Sequence, residues 1–168
     1  MALVAKGLEG IIANESKLSN VQGLEGKLCY LGYTIDDLVE HTSFEEVIYL
    51  LHNGKLPNRS ELDGLISKLK ADRNLPDGII DFLKNAPKDA GPMDVIRTGV
   101  SMMGLYDTKG DHQNRNLNED RAIAIIAKIP LIVAAFHRFR QGLEIVEPRE
   151  DLSEAAHFLY LINGEVPS

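Results

Sequence analysis

The stretch from Ile123 to Phe136 is apolar except for Lys128, and Pro130 lies near its middle. Read at 3.6 residues per turn, it presents apolar side chains around almost its whole circumference. That is the pattern of a helix covered on several sides, and the rest of the chain must supply the cover. The run is shorter than the ~20 residues a bilayer span requires, so no membrane partner is expected. Pro130 removes one N–H and crowds the carbonyl of Ile126, which predicts a kink. It does not predict a break, because the stop signals lie further out. Asn118 can cap the start, Glu119 and Asp120 suit the first turn, Arg138 and Arg140 the last, and Gly142 follows.

Four more helices can be read before this one. Ser43-Phe44-Glu45-Glu46 has the spacing of a capping box, in which hydroxyl and carboxylate each satisfy a backbone N–H. Behind it Phe44, Val47, Ile48 and Leu51 share one face, and Gly54 stands where a left-handed end residue belongs. A second stripe, Leu62, Leu65, Ile66 and Leu69, runs from about Ser60 to Arg73. Pro76 and Pro92 suit the first turns of two further helices, carrying Ile79, Ile80 and Leu83, and then Met93, Ile96, Val100 and Met103. A final helix is expected from about Leu152 to Asn163, with Gly164 after it. Tyr106 to Asn116 reads as a polar loop. The first 25 residues show no clean period, and a short extended or hairpin segment is expected near residues 26–35. The class is all-α.

Composition narrows the function. With 18 Lys+Arg against 25 Asp+Glu the chain carries a formal charge of −7 and lacks the basic face of a nucleic-acid binder. A single cysteine, Cys29, excludes a disulfide framework and suits a reducing, cytoplasmic location. Gly23-Leu24-Glu25-Gly26-Lys27-Leu28 imitates part of a phosphate loop. It fails, because Val21 stands where the first glycine is needed and Leu28 offers magnesium no hydroxyl. Asn14-Glu15-Ser16 and Asn58-Arg59-Ser60 match a glycosylation pattern that no secretory signal supports.

The histidines are His41, His52, His112, His137 and His157, none in a metal-ligand spacing or a Cys/His cluster. His41 and His52 read as helix-end residues, His112 as loop, and His137 and His157 as polar groups on helix faces. Asp36-Asp37 could pair as acid and base, but at a helix start they serve as partners of the macrodipole. No constellation of nucleophile, base and oxyanion donor can be assembled, so no catalytic, cofactor-binding or metal residue is assigned and no cofactor is expected.

The ordered motifs resemble the N-terminal part of citrate synthase. Lys6-Gly7-Leu8-Glu9-Gly10 looks like that family's opening, and Tyr30-Leu31-Gly32-Tyr33-Thr34-Ile35-Asp36-Asp37-Leu38 like its YRGY-I-DL segment. Pro92-Met93-Asp94-Val95-Ile96-Arg97-Thr98 resembles its HPMD-LRT helix, Ile126-Ala127-Lys128-Ile129-Pro130 its AK-P helix, and Phe158-Leu159-Tyr160 with Asn163-Gly164 its FLYML-G stretch. Leu31 stands where the family usually has arginine, and Gly91 where it has the histidine before Pro-Met.

The resemblance implies that residues 1–168 form the N-terminal part of a large helical domain, with the small domain and the catalytic segments outside them. The family condenses acetyl-CoA, or propionyl-CoA in its 2-methyl relatives, with oxaloacetate and then hydrolyses the thioester. An aspartate base and histidine donors do that work, and their motifs would begin after Ser168, so this chain alone is expected to be inactive. It would act either as a truncated or split part of the enzyme, or as a helical interaction module without chemistry. The resemblance also implies a homo-oligomer, a two-fold dimer through the helices near 93–105 and 119–140. Gly99 and Gly104 are the small positions that would allow close helix approach.

Overall fold

A computed structural model describes residues 14–108, 110 and 114–167, so the Lys6–Gly10 motif and His112 lie outside the described residues. Two compact units divide at Pro57 and Asn58.

The first unit holds a three-stranded antiparallel sheet, β1 (Ser19–Gln22), β2 (Lys27–Tyr30) and β3 (Tyr33–Thr34), in the order β1-β2-β3. Ser19 faces Tyr30 across the first pair and Cys29 faces Thr34 across the second. The hairpin expected near 26–35 is therefore present. It has one strand more than expected, because all four residues of β1 are exposed and carry no apolar alternation to read. Leu31 (φ 50°) and Gly32 (φ 93°) turn the chain between β2 and β3, with the paired positive φ angles of a type I′ turn.

Helices α1 (Ile35–His41) and α2 (Phe44–Asn53) follow. Thr34 caps α1 by accepting from Asp37 N, and its hydroxyl donates to the Asp37 carboxylate at 2.6 Å. The capping box on α2 is present as expected: Ser43 Oγ accepts from Glu46 N, Glu46 accepts from Ser43 N, and Gly54 closes the helix at φ 76°.

The second unit contains α3 (Arg59–Ala71), α4 (Asp77–Asn85), α5 (Pro92–Met103), a 3-10 turn (Gly104–Tyr106), α6 (Arg115–Arg140) and α7 (Glu154–Asn163). Asn58 is the N-cap of α3 and forms a second capping box with Glu61. Pro92 occupies the first turn of α5 as expected, whereas Pro76 stands one place earlier, at the cap of α4.

Helix α6 runs through Pro130 without interruption, as the apolar residues on both sides required. It starts earlier than expected. Asn114, not Asn118, caps it by accepting from Asn116 N and Leu117 N, because either asparagine satisfies the same local rule. At 26 residues α6 is long and apolar enough by length and composition to cross a membrane, a length the apolar run alone did not reveal. Its surroundings mark it as a core helix: α3, α4, α5 and α7 all pack against it, and Ile132 is fully buried.

Around Ile132 gather Ile79, Leu83, Val95, Ala135 and Phe136, and a smaller cluster joins Leu131, Ala134 and Leu161. Gly99 is what lets α5 approach α6. A Cβ there would stand 3.2 Å from both Cδ1 and Cγ2 of Ile132, so this small position is already used within the chain. Gly104 meets nothing within 4 Å.

Candidate functional site

An open cleft of about 520 Å³ lies between the ends of α3 and α5, the 3-10 turn and the first half of α6. Its walls are mostly apolar, with Ala71, Val100, Met103 and Ile123 among them, and Tyr106 stands at one side. The Tyr106 hydroxyl lies over Gly78 of α4, where any Cβ would collide with it.

Three ion pairs edge the cleft. Lys68 Nζ lies 2.9 Å from Asp120 Oδ1 across α3 and α6. Lys128 Nζ, largely buried, donates to the carbonyl oxygen of Asp72 at 2.8 Å and to its carboxylate at 2.7 Å. Arg121 donates from Nε to the Asp107 carboxylate and from Nη1 to Asn118 Oδ1 at 2.8 Å. Each cation at the edge thus faces a carboxylate. The cleft is a shaped apolar surface with a neutralised rim, not a preformed anion hole. Among the described residues no histidine or cysteine lines it.

The residues weighed in the sequence are scattered. His41 and His52 are exposed at the ends of α1 and α2, and His137 is exposed with Nε2 3.1 Å from Gln141 Nε2. Asp36 and Asp37 lie in the first turn of α1, the latter engaged in its cap. His157 departs from expectation. It is a core residue, 1% exposed, with its ring near that of Tyr160, because α7 turns this face inward rather than outward. Among the described residues no group of three or more His, Cys, Asp or Glu could hold a metal ion.

What sequence reading missed is non-local. Arg73, just past α3, is 5% exposed and forms a buried pair with Glu154 at the start of α7. It also donates to the carbonyls of Arg149 at 2.5 Å and Leu152 at 3.0 Å. No local pattern links positions 76 to 81 residues apart.

The motifs that carried the resemblance fall on defined elements. Tyr30–Leu38 spans β2, β3 and α1, Pro92–Thr98 opens α5, Ile126–Pro130 lies inside α6, and Phe158–Tyr160 lies in α7. The family described as "Citrate synthase, C-terminal domain" matches residues 7–168. The chain belongs to the citrate synthase family.

Citrate synthase 2 of Bacillus subtilis is 46% identical over 164 residues, a match covering 97% of this chain and 44% of the relative. A 2-methylcitrate synthase of Shewanella oneidensis is 39% identical over 168 residues, covering 99% of this chain and 44% of the relative. The crystal structure of citrate synthase from Pyrobaculum aerophilum superposes with a TM-score of 0.87 at 34% identity, over 96% of this chain and 42% of that one. The chain therefore spans less than half the length of the citrate synthases it matches, and over that length it has their helical fold.

Proposed function

We propose that this chain supplies the N-terminal part of the large helical domain of a citrate synthase, and that it condenses no substrate by itself. The observation that carries the reading is the coverage: nearly the whole chain matches citrate synthases, while the match takes up only 44% of each relative. The activity of the complete enzyme is the joining of an acyl-CoA, acetyl-CoA or propionyl-CoA, to oxaloacetate with release of CoA. The chemistry requires a base for the acyl methyl group and hydrogen-bond donors for the thioester and ketone oxygens. The described part of this chain brings no such set together, and the proposed catalytic and small-domain segments lie in the portion of the relatives that it does not match.

The partners in this reading are the rest of the enzyme and a second copy of the chain, in the cytoplasm. Ala122, Ile126, Ile129 and Val133 recur along one side of α6 and are only half-buried, while Met93 in the first turn of α5 and Leu105 in the 3-10 turn after it are 70% and 80% exposed. That leaves an apolar strip on these two helices for a two-fold, self-complementary contact.

A thiol-release assay with acetyl-CoA and oxaloacetate is expected to stay at the buffer rate for the purified chain. Turnover that survives repurification and is abolished by His137→Ala would overturn the inactivity. Light scattering at tens of micromolar is expected to give a dimer, and a monodisperse, folded monomer would refute that contact.

A further inference from the structure

The cleft between α3, α5, the 3-10 turn and α6 is open to solvent. Val100, Met103, Ala124 and Ile125 line it without being fully buried. Its rim is neutral by pairing: Lys68 meets Asp120, Lys128 meets Asp72 and Arg121 meets Asp107. An apolar floor inside a polar rim is the make-up of a protein–protein contact. Because the charges of the rim are already matched, it suits an occupant that brings apolar side chains rather than a charge.

Gly104 stands on the wall of this cleft in ordinary right-handed conformation, φ −61° and ψ −26°. A Cβ added there would meet nothing within 4 Å. Gly99 has its reason inside the chain, in the side chain of Ile132. Gly104 has none: neither its backbone angles nor a neighbour among the described residues calls for glycine, and in a helical turn glycine is the less stable choice. A missing side chain on the wall of an apolar cleft is what the close approach of another backbone needs.

More than half of each relative lies outside the match, which takes up 44% of Bacillus subtilis citrate synthase 2 and 42% of the Pyrobaculum aerophilum chain. If the two parts make one enzyme, that length of chain must seat on these helices. The two-fold contact with a second copy uses the other side of α6. Ala124 lies about 200° around the helix from both Ala122 and Ile126, so the cleft and the half-buried strip face different neighbours.

We propose that this cleft receives an apolar helix face from the portion of citrate synthase that this chain does not match, with Gly104 as the point of closest backbone approach. The proposal rests on the reading of the chain as one part of that enzyme. A helix laid in a groove anchors through apolar side chains one turn apart, and the cleft offers them the partly buried surfaces of Val100, Met103, Ala124 and Ile125.

The test introduces Ser101→Cys, at an exposed position lining the cleft, into the chain alone and into its fusion with the unmatched portion of Bacillus subtilis citrate synthase 2. Alkylation is read by mass spectrometry on the peptide carrying residue 101. It is expected to be rapid in the chain alone and at least roughly tenfold slower in the fusion. CoA release by the fusion reports separately on the wider reading. A fusion that turns over while residue 101 stays as reactive as in the chain alone would overturn the cleft as the seat and leave that reading standing. A fusion that protects residue 101 but releases no CoA would support the seat and count against the reading. A cleft kept for a small molecule would leave the two rates equal, and protection in the chain alone that is lost on dilution would assign the cleft to a second copy; either result overturns the proposal. Gly104→Phe supplies a second measurement. The thermal midpoint of the chain alone is expected to hold, because the space is open. In the fusion the same change is expected to lower the midpoint, abolish turnover and restore alkylation at residue 101. A fusion indifferent to Gly104→Phe would overturn the proposal, as would a lowered midpoint in the chain alone.

Discussion

Arg73 and Glu154, 81 residues apart, meet in a buried ion pair in which Glu154 Oε1 accepts from Arg73 Nε at 3.2 Å and from Nη2 at 2.7 Å. With the Arg149 and Leu152 carbonyls also engaged, the guanidinium is satisfied inside the protein, which is the condition under which a buried charge is tolerated. Arg73→Met is expected to lower the unfolding free energy by about 3–5 kcal/mol, because it leaves the Glu154 carboxylate buried without its cation. Adding Glu154→Leu to Arg73→Met is expected to recover part of that loss. Urea unfolding of the two variants checks both signs, and strictly additive losses would contradict the pairing.

Close packing of α5 on α6 depends on Gly99. Its Cβ position lies 3.2 Å from Ile132, which is fully buried and has nowhere to move. Gly99→Val is expected to destabilise the chain by about 1–3 kcal/mol through overpacking. Thermal unfolding followed by circular dichroism measures it, and an unchanged midpoint would mean that the helices can separate freely here.

Leu31 carries a Cβ at φ 50°, in the first central position of the turn between β2 and β3. Left-handed backbone costs an L-residue roughly 1–2 kcal/mol, and asparagine tolerates it better than leucine. Leu31→Asn is expected to raise the stability of the first unit by about 0.5–1 kcal/mol in urea unfolding. A loss of stability would show that the Leu31 side chain contributes more packing than its backbone costs.

The helices of this fold are written in short-range chemistry, and those parts could be read in advance. Ser43 with Glu46, Gly54, Pro92 and the unbroken apolar run across Pro130 each act within a few residues of themselves, so the sequence displays them directly. Sequence and structure part where local rules are degenerate or silent. Asn114 and Asn118 are equally good caps, and β1 is exposed on both faces. His157 carries a polar ring that local patterning assigns to an outer helix face, yet α7 buries it. The cleft beside Lys128 and the Arg73–Glu154 pair were invisible for a stronger reason: each is assembled from elements far apart in the chain.

Global stability is expected to depend on the protonation of His157. The folded pKa is about 4 against 6.5 unfolded, so the unfolded chain binds the proton first as pH falls. Stability is therefore full above pH 6.5 and declines below it, by about 2 kcal/mol at pH 5. Urea titrations at pH 7 and pH 5 measure the difference, and His157→Gln is expected to reduce it; an equal loss in that variant would assign the pH effect to other groups.

The central claim is that these 168 residues are one part of a citrate synthase and need the other. The most direct measurement fuses the chain to the portion of Bacillus subtilis citrate synthase 2 that it does not match, and follows CoA release from acetyl-CoA and oxaloacetate. The fusion is expected to turn over while the chain alone remains at the buffer rate. A fusion that is folded and monodisperse yet no faster than buffer would contradict the account.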